Sequence, residues 1–390
     1  MNASDYRYRA LALGLGGGGC QAFRHLAGTW RDAPELAVAH TDLRSLRDHP
    51  VTRRLPLGET LTGGLSSGGD PEVGRRAAEA SADALRAQFE GLDLLFLVVG
   101  LGGGTGSGAA PVICRLARDM GALTLVYATL PFFFEGPQRR RTAETALRAL
   151  RGAADAVIAL PNERLTEWLT PDTPISAAFR KTDEALDFGV GALWQTLAHP
   201  GLLPLDMSHL RALARGAGGE LALGYGLGRG PGKAAAALED LRQSPLLEHG
   251  QLLREAGGLL VSITGGMDLA YAEVQKALDE LTGALPPHAP RFIGTAVDPA
   301  FDGVMRIMAL VAGAHETPAP APAAPAGAEP APAAEKTPDK PVRVEQGSLP
   351  FDLSGGKGRF NGLHPTYYGA EDLDLPTFRR RGQKLSGAGR

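Results

Sequence analysis

Seven consecutive residues, Gly102-Gly103-Gly104-Thr105-Gly106-Ser107-Gly108, have the composition of a turn that closes around phosphate. Glycine lets backbone N–H groups approach an anion closely, and the threonine and serine add hydroxyl donors. The apolar stretch 94–99 before the run predicts a buried strand. Residues 109–120 after it predict a helix with Pro111 in its first turn. A second glycine run, 14–19, ends the apolar stretch 10–13 and leads through Cys20 and Gln21 into another helical pattern. Read alone, this run satisfies G-x-G-x-x-G, and Asp42 falls about where the ribose-binding acid of a dinucleotide site would stand. A simple dinucleotide fold has no use for the loop at 102–108. No G-x-x-x-x-G-K-[ST] occurs, so phosphates would be held by main-chain N–H groups and Mg²⁺ rather than by a lysine.

The elements that must position these loops follow from the apolar pattern. Short apolar runs at 10–13, 36–39, 94–99, 123–128 and 156–160 alternate with helical patterns such as 74–89 and 139–151. That alternation predicts an α/β fold with a doubly wound parallel sheet and ligands at the strand C-termini. A long helical pattern covers 175–198. A second unit follows, with strands expected at 221–224, 259–264, 292–297 and 304–312 and helices at 234–242 and 269–285. Between 317 and 341 eight prolines sit mostly among alanines, which predicts a spacer without a packed core.

Composition narrows the class. The chain has 390 residues, 44% of them hydrophobic, enough for two domains and a tail. A net charge of −3 gives no electrostatic case for binding nucleic acid. Two cysteines fit a reducing compartment, and neither a signal peptide nor a membrane-length apolar stretch is expected.

The run GGGTGSG is the signature loop of the tubulin/FtsZ superfamily, and the chain resembles the FtsZ family over nearly its whole length. The resemblance implies a Rossmann-like parallel-sheet GTPase domain at 1–174, then a long central helix with its following loop at 175–205. A second, α+β assembly domain at 206–314, a disordered Pro/Ala-rich linker at 315–357 and a partner-binding tail at 358–390 complete the expected plan. It also implies GTP or GDP as ligand, Mg²⁺ carried with the nucleotide, and no separate protein metal site. Gly17, Gly18, Gly19, Cys20 and Gln21 would meet the diphosphate and nucleoside, with Gln21 where the family usually has Asn. Gly104, Thr105 and Gly106 would take the phosphates. The stretch 129–139 resembles TKPFxFEGxxR, which puts Glu135 at the ribose and Arg139 over the nucleoside. Asn162 stands in a Pro-Asn-x-x-Leu loop, and Asp183 would accept guanine N1–H and N2–H. Phe132, Phe133 and Phe134 read as core, and Cys20 as a space-filling side chain. Residues 63–74 resemble the loop that senses the terminal phosphate, with Ser66, Ser67 and Asp70 as departures.

The family completes its GTPase site from the neighbouring subunit, through a loop after the central helix. Here that stretch is 201–210, with Asp206 at the first acidic position, Pro204 at the Asn position and His209 at the second acidic one. Proline orients no water, and a neutral imidazole carries no negative charge, so normal GTP binding with slow hydrolysis is expected. By resemblance the chain would polymerise head-to-tail into filaments of the cytoplasmic midcell division ring. The alternative is an FtsZ-like structural paralogue with weak or no GTPase activity. Near the C-terminus, Asp372 to Arg380 resembles a peptide that docks membrane-tethering, FtsA-like adaptors, with Leu373, Leu375 and Phe378 as anchors.

Overall fold

The computed structural model describes residues 8–30, 32–170 and 172–313, and the short strands Tyr367–Tyr368 and Glu371–Asp372. Those two strands pair antiparallel, Tyr367 opposite Asp372. The linker expected at 315–357 and the rest of the docking peptide lie outside the described residues.

Ten strands make one sheet. They are β1 Ala10–Leu15, β2 Glu35–His40, β3 Arg53–Pro56, β4 Leu94–Gly100, β5 Leu123–Leu130, β6 Ala156–Pro161, β7 Glu220–Arg229, β8 Gly258–Gly265, β9 Arg291–Val297 and β10 Val304–Ala312. Their order is 3-2-1-4-5-6-7-10-8-9. The first six are parallel to one another, in the doubly wound order that opens a ligand crevice where the strand order reverses, between the neighbours β1 and β4. β6 meets β7 only at Val157–Glu220 and Ile158–Leu221. Beyond that seam β10 lies antiparallel to β7 and β8, and β9 runs parallel to β8. Every expected strand is present. β3 is an addition that its Arg53, Arg54 and Pro56 conceal, since charge and proline suit only an edge strand.

The longer helices are α1 Gly16–Leu26, α2 Pro71–Ala80, α3 Ala82–Phe89, α4 Gly104–Asp119, α5 Pro137–Ala153, α6 Ile175–Leu186, α7 Leu193–Ala198, α8 Met207–Gly216, α9 Lys233–Arg242 and α10 Tyr271–Gly283. They cover both sheet faces. Leu11, Leu13 and Leu15 of β1 join Leu95, Leu97 and Val99 of β4 in one core, beside Ala109 and Ile113 of α4. Ala10, Ala12, Phe96 and Val98 point the other way, into a core shared with Phe23 and with Leu186, Leu193 and Leu197 of the central helix. Burial on both faces explains why these strands read as unbroken apolar runs.

Three helical expectations need correction. The helix expected at 109–120 begins at Gly104, so Pro111 stands well inside it rather than in its first turn. The glycines are helical because α4 packs backbone to backbone on α2. A Cβ on Gly108 would overlap the Pro71 carbonyl oxygen and come within 2.6 Å of Arg75 N. The pattern at 74–89 is two helices that meet at Ser81, whose Oγ accepts the Gly58 N–H at 2.9 Å. The helix at 175–198 is continuous, but Asp187–Ala192 is a π-helical stretch. Its wide turn is tied on both sides: Asp187 accepts from Trp30 Nε1 and from the Arg306 guanidinium, each at 2.7 Å.

Candidate nucleotide site

β1 and β4 are neighbours, and each runs directly into a glycine-rich helix start, α1 at Gly16 and α4 at Gly104. Neither helix has a side-chain cap or an acid in its first turn. The two starts pack against each other through backbone. A Cβ on Gly16, at φ +68°, would sit 2.9 Å from Gly106 N, and one on Gly18 would sit 2.8 Å from Gly100 Cα. Two sets of unpaired helix-start N–H groups and two positive dipole ends therefore converge, which is what an oligophosphate requires.

The glycines divide the work. Gly17 and Gly18 are exposed and available to a ligand. Gly19 is buried because α1 packs on β4, with no space for a side chain against the Val98 carbonyl. Gly104 and Gly106 are buried as well, the first beneath Ser67 and Asp70, the second against the Gly100 carbonyl. The hydroxyls expected to serve phosphate are engaged within the protein. Thr105 Oγ1 lies 2.8 Å from Thr41 Oγ1 and 3.2 Å from Ser67 Oγ, tying three loops together. Ser107 Oγ accepts the Gly102 N–H at 2.9 Å.

The Cys20 side chain fills space in the core, as expected. It is buried, and its Sγ lies 3.8 Å from the carbonyls of Gly14 and Ala39. Burial pushes the thiols of Cys20 and Cys114 up to about 12. Neither should react with a thiol dye at pH 8 in the folded protein, and both should react in denaturant. Labelling of either cysteine before unfolding would contradict that placement.

Beside the glycine loops lies a cavity of about 870 Å³, lined by Gly18, Gln21, Asn162 and Asp183 among the expected residues, and also by His25, Phe179 and Asp187. Asn162 is buried, and its Oδ1 accepts from Thr182 Oγ1 at 3.1 Å. Burial raises the pKa of Asp183, while a hydrogen bond from His25 lowers it. Glu135 and Arg139 form an ion pair at 2.6 Å outside this cavity. Arg139 instead adjoins the 102–108 loop, its carbonyl oxygen 3.0 Å from where a Gly102 Cβ would be. Of the three phenylalanines only Phe132 is core. Phe133 and Phe134 are exposed, Phe134 stacking on Phe132 at 5.0 Å between ring centres.

Two histidines escaped the sequence reading. His40 is buried behind the first loop, and its Nδ1 accepts the Asp42 N–H at 2.8 Å. Burial lowers its pKa, so the ring is neutral at pH 7 with its proton on Nε2, 4.0 Å from the Cβ position of Gly17. His25 lies four residues after Gln21 on α1, and that helical spacing is the signal that could have found it. Asp42 is unavailable to a ribose: it caps a short helix and is held by the Arg44 guanidinium at 2.9–3.1 Å.

Asp206 does not line the cavity. The last four residues of the expected 201–210 loop are helix, and Asp206 is the N-cap of α8. Its Oδ1 accepts from Ser208 N at 2.7 Å, Ser208 Oγ at 2.5 Å and His209 N at 3.3 Å, and His209 Nδ1 accepts the Asp206 N–H at 3.2 Å. From Asp187, which still lines the cavity, to Ala198 the central helix rises about 16 Å at 1.5 Å per residue before the loop begins. Among the described residues no group of three or more His, Cys, Asp or Glu side chains is placed to hold a metal ion. No helix among them is long and apolar enough to cross a membrane.

Comparison with known proteins agrees with this geometry. Residues 9–170 match the Tubulin/FtsZ family, GTPase domain, and residues 219–315 match the FtsZ family, C-terminal domain. The chain is 36% identical over 301 residues to cell division protein FtsZ 1 of Archaeoglobus fulgidus, covering 77% of this chain and 81% of that one. It is 36% identical over 312 residues to cell division protein FtsZ of Magnetospirillum gryphiswaldense, covering 80% of this chain. It spans only 55% of that longer relative. An empty FtsZ dimer from M. jannaschii superposes with a TM-score of 0.73 at 30% identity, covering 79% of this chain and 89% of that one. CetZ2 from Haloferax volcanii, solved as a GTPγS-bound protofilament, shares the fold at a TM-score of 0.63 and 23% identity, covering 78% and 93%. By its two family domains, its relatives and its sheet, this chain belongs to the tubulin/FtsZ family, on the FtsZ branch.

Proposed function

We propose that this chain binds GTP and assembles head-to-tail into filaments that serve cell division, with hydrolysis completed between subunits. The observation that carries the reading is the meeting of two uncapped, glycine-built helix starts beside a cavity walled by Asp183. The N–H groups of 16–18 and 103–106 would hold the phosphates, and Asp183 would accept the two imide-edge hydrogens that guanine offers and adenine lacks. Glu135 would accept from the ribose hydroxyls, and Arg139, whose guanidinium pairs with it, would lie over the nucleoside. Mg²⁺ would be held chiefly by phosphate and water, and it would supply charge neutralisation at the terminal phosphate. GTPase, assembly and C-terminal segments would follow the boundaries 1–174, 175–205, 206–314, 315–357 and 358–390, with the tail engaging a membrane-tethering adaptor in the cytoplasm at midcell.

Asp206 does not line its own cavity, so it would act on the nucleotide of the next subunit. Its Oδ1 is engaged in capping α8, and Pro204 offers no polar side chain beside it. That favours the second reading, a filament former that hydrolyses slowly. GTP-dependent pelleting together with phosphate release separates the two readings. Asp206→Ala should lower turnover about 100-fold, the scale of losing one preorganised charge contact. GTP affinity of the unassembled subunit should be unchanged, while α8 loses about 1 kcal/mol of capping. Unchanged phosphate release and polymer lifetime would remove Asp206 from the reaction.

A further inference from the structure

Asp183 is one member of a three-residue chain. Gln21 and His25 are four residues apart on α1 and so share a face. His25 Nδ1 is 2.7 Å from Asp183 Oδ2, and His25 Nε2 is 3.4 Å from Gln21 Nε2. An amide nitrogen only donates, so His25 Nε2 accepts from Gln21 and Nδ1–H donates to the carboxylate. All three side chains line the same cavity.

We propose that His25 is a positioning residue for base selection, fixing the Asp183 carboxylate so that both oxygens face the imide and amino hydrogens of a guanine. This rests on the reading of Asp183 as the guanine contact. The Asp183 side chain is only 15% exposed, and burial works against its charge. A donated hydrogen bond opposes that tendency and fixes the side-chain rotamer. A carboxylate has about four acceptor sites. His25 takes one on Oδ2, which leaves a free site on each oxygen. Gln21 in turn fixes the ring tautomer, so the donor always faces Asp183.

The test uses the full chain and three nucleotides: GTP, inosine triphosphate, which keeps N1–H but lacks the 2-amino group, and ATP. Dissociation constants are measured by calorimetry for wild type, His25→Ala and His25→Asn. His25 is half exposed, and thermal midpoints will verify that both variants fold. Loss of a fixed carboxylate costs GTP two hydrogen bonds and inosine triphosphate one. His25→Ala should therefore narrow the GTP preference over inosine triphosphate about tenfold, the scale of one hydrogen bond to a charged group, with ATP unaffected. Asn keeps a donor near the position of Nδ1, so His25→Asn should retain the preference within about twofold. An unchanged preference in His25→Ala, or equal weakening of all three nucleotides, would overturn the role of His25 while leaving Asp183 in place. A wild type without preference for GTP over inosine triphosphate would overturn both.

Discussion

An Asp183→Ala variant should bind GTP about 100-fold more weakly or worse, because two hydrogen bonds to a charged group, each contributing about 1.5–3 kcal/mol, vanish together. ATP binding, weak to begin with, should hardly change, since the phosphate loops do not involve Asp183. Titration of purified protein with both nucleotides measures this directly. A GTP constant within threefold of wild type would show that the base is read elsewhere. The same carboxylate sets a pH dependence. Guanine needs the ionised form, so affinity is present above the Asp183 pKa and declines as pH falls through it. Burial raises that pKa, so the decline begins at higher pH than for an ordinary aspartate.

The second large effect is on packing. Gly108→Ala adds one carbon where the Pro71 carbonyl and Arg75 N stand, and backbone atoms cannot swing aside. Helices α2 and α4 must separate, at about 2 kcal/mol or more of stability. The shift would carry residues 67–70 away from Gly104, loosening the second phosphate loop. Gly152→Ala in α5 is the matched control, because a Cβ there meets nothing within 4 Å. That change should stabilise by about 0.5–1 kcal/mol. Urea midpoints of the two variants should move in opposite directions. Equal midpoints would show that α2 and α4 are less closely packed than described.

The parallel half of the sheet was legible because its inner strands are buried on both faces, and buried strands announce themselves as Leu94-Leu95-Phe96-Leu97-Val98-Val99 does. What sequence hid was whatever depended on a partner distant in the chain. Glycine carries a low helix propensity, so 104–108 reads as loop until its packing on Pro71 is seen. Asp183 drew attention through the family motif, but its hydrogen bond to His25 spans 158 positions and no local pattern shows it. Thr105 illustrates the reverse case: its residue type suggested a ligand contact, while its neighbours Thr41 and Ser67 engage the hydroxyl. The helix start capped by Asp206 could have been found locally, from an acceptor followed three residues later by a side chain able to bond back.

Both rims of the sheet carry features that discourage pairing with another chain. At one, β3 presents Arg53, Arg54 and Pro56. At the other, residues 201–203 are laced to β9, with Gly201 N donating to the Thr295 carbonyl at 2.7 Å and Thr295 N to the Leu203 carbonyl at 2.9 Å. Sideways zipping of strand upon strand, the route to amyloid-like clumping, is disfavoured at each border. The lacing at the second border also anchors the segment leading to Asp206.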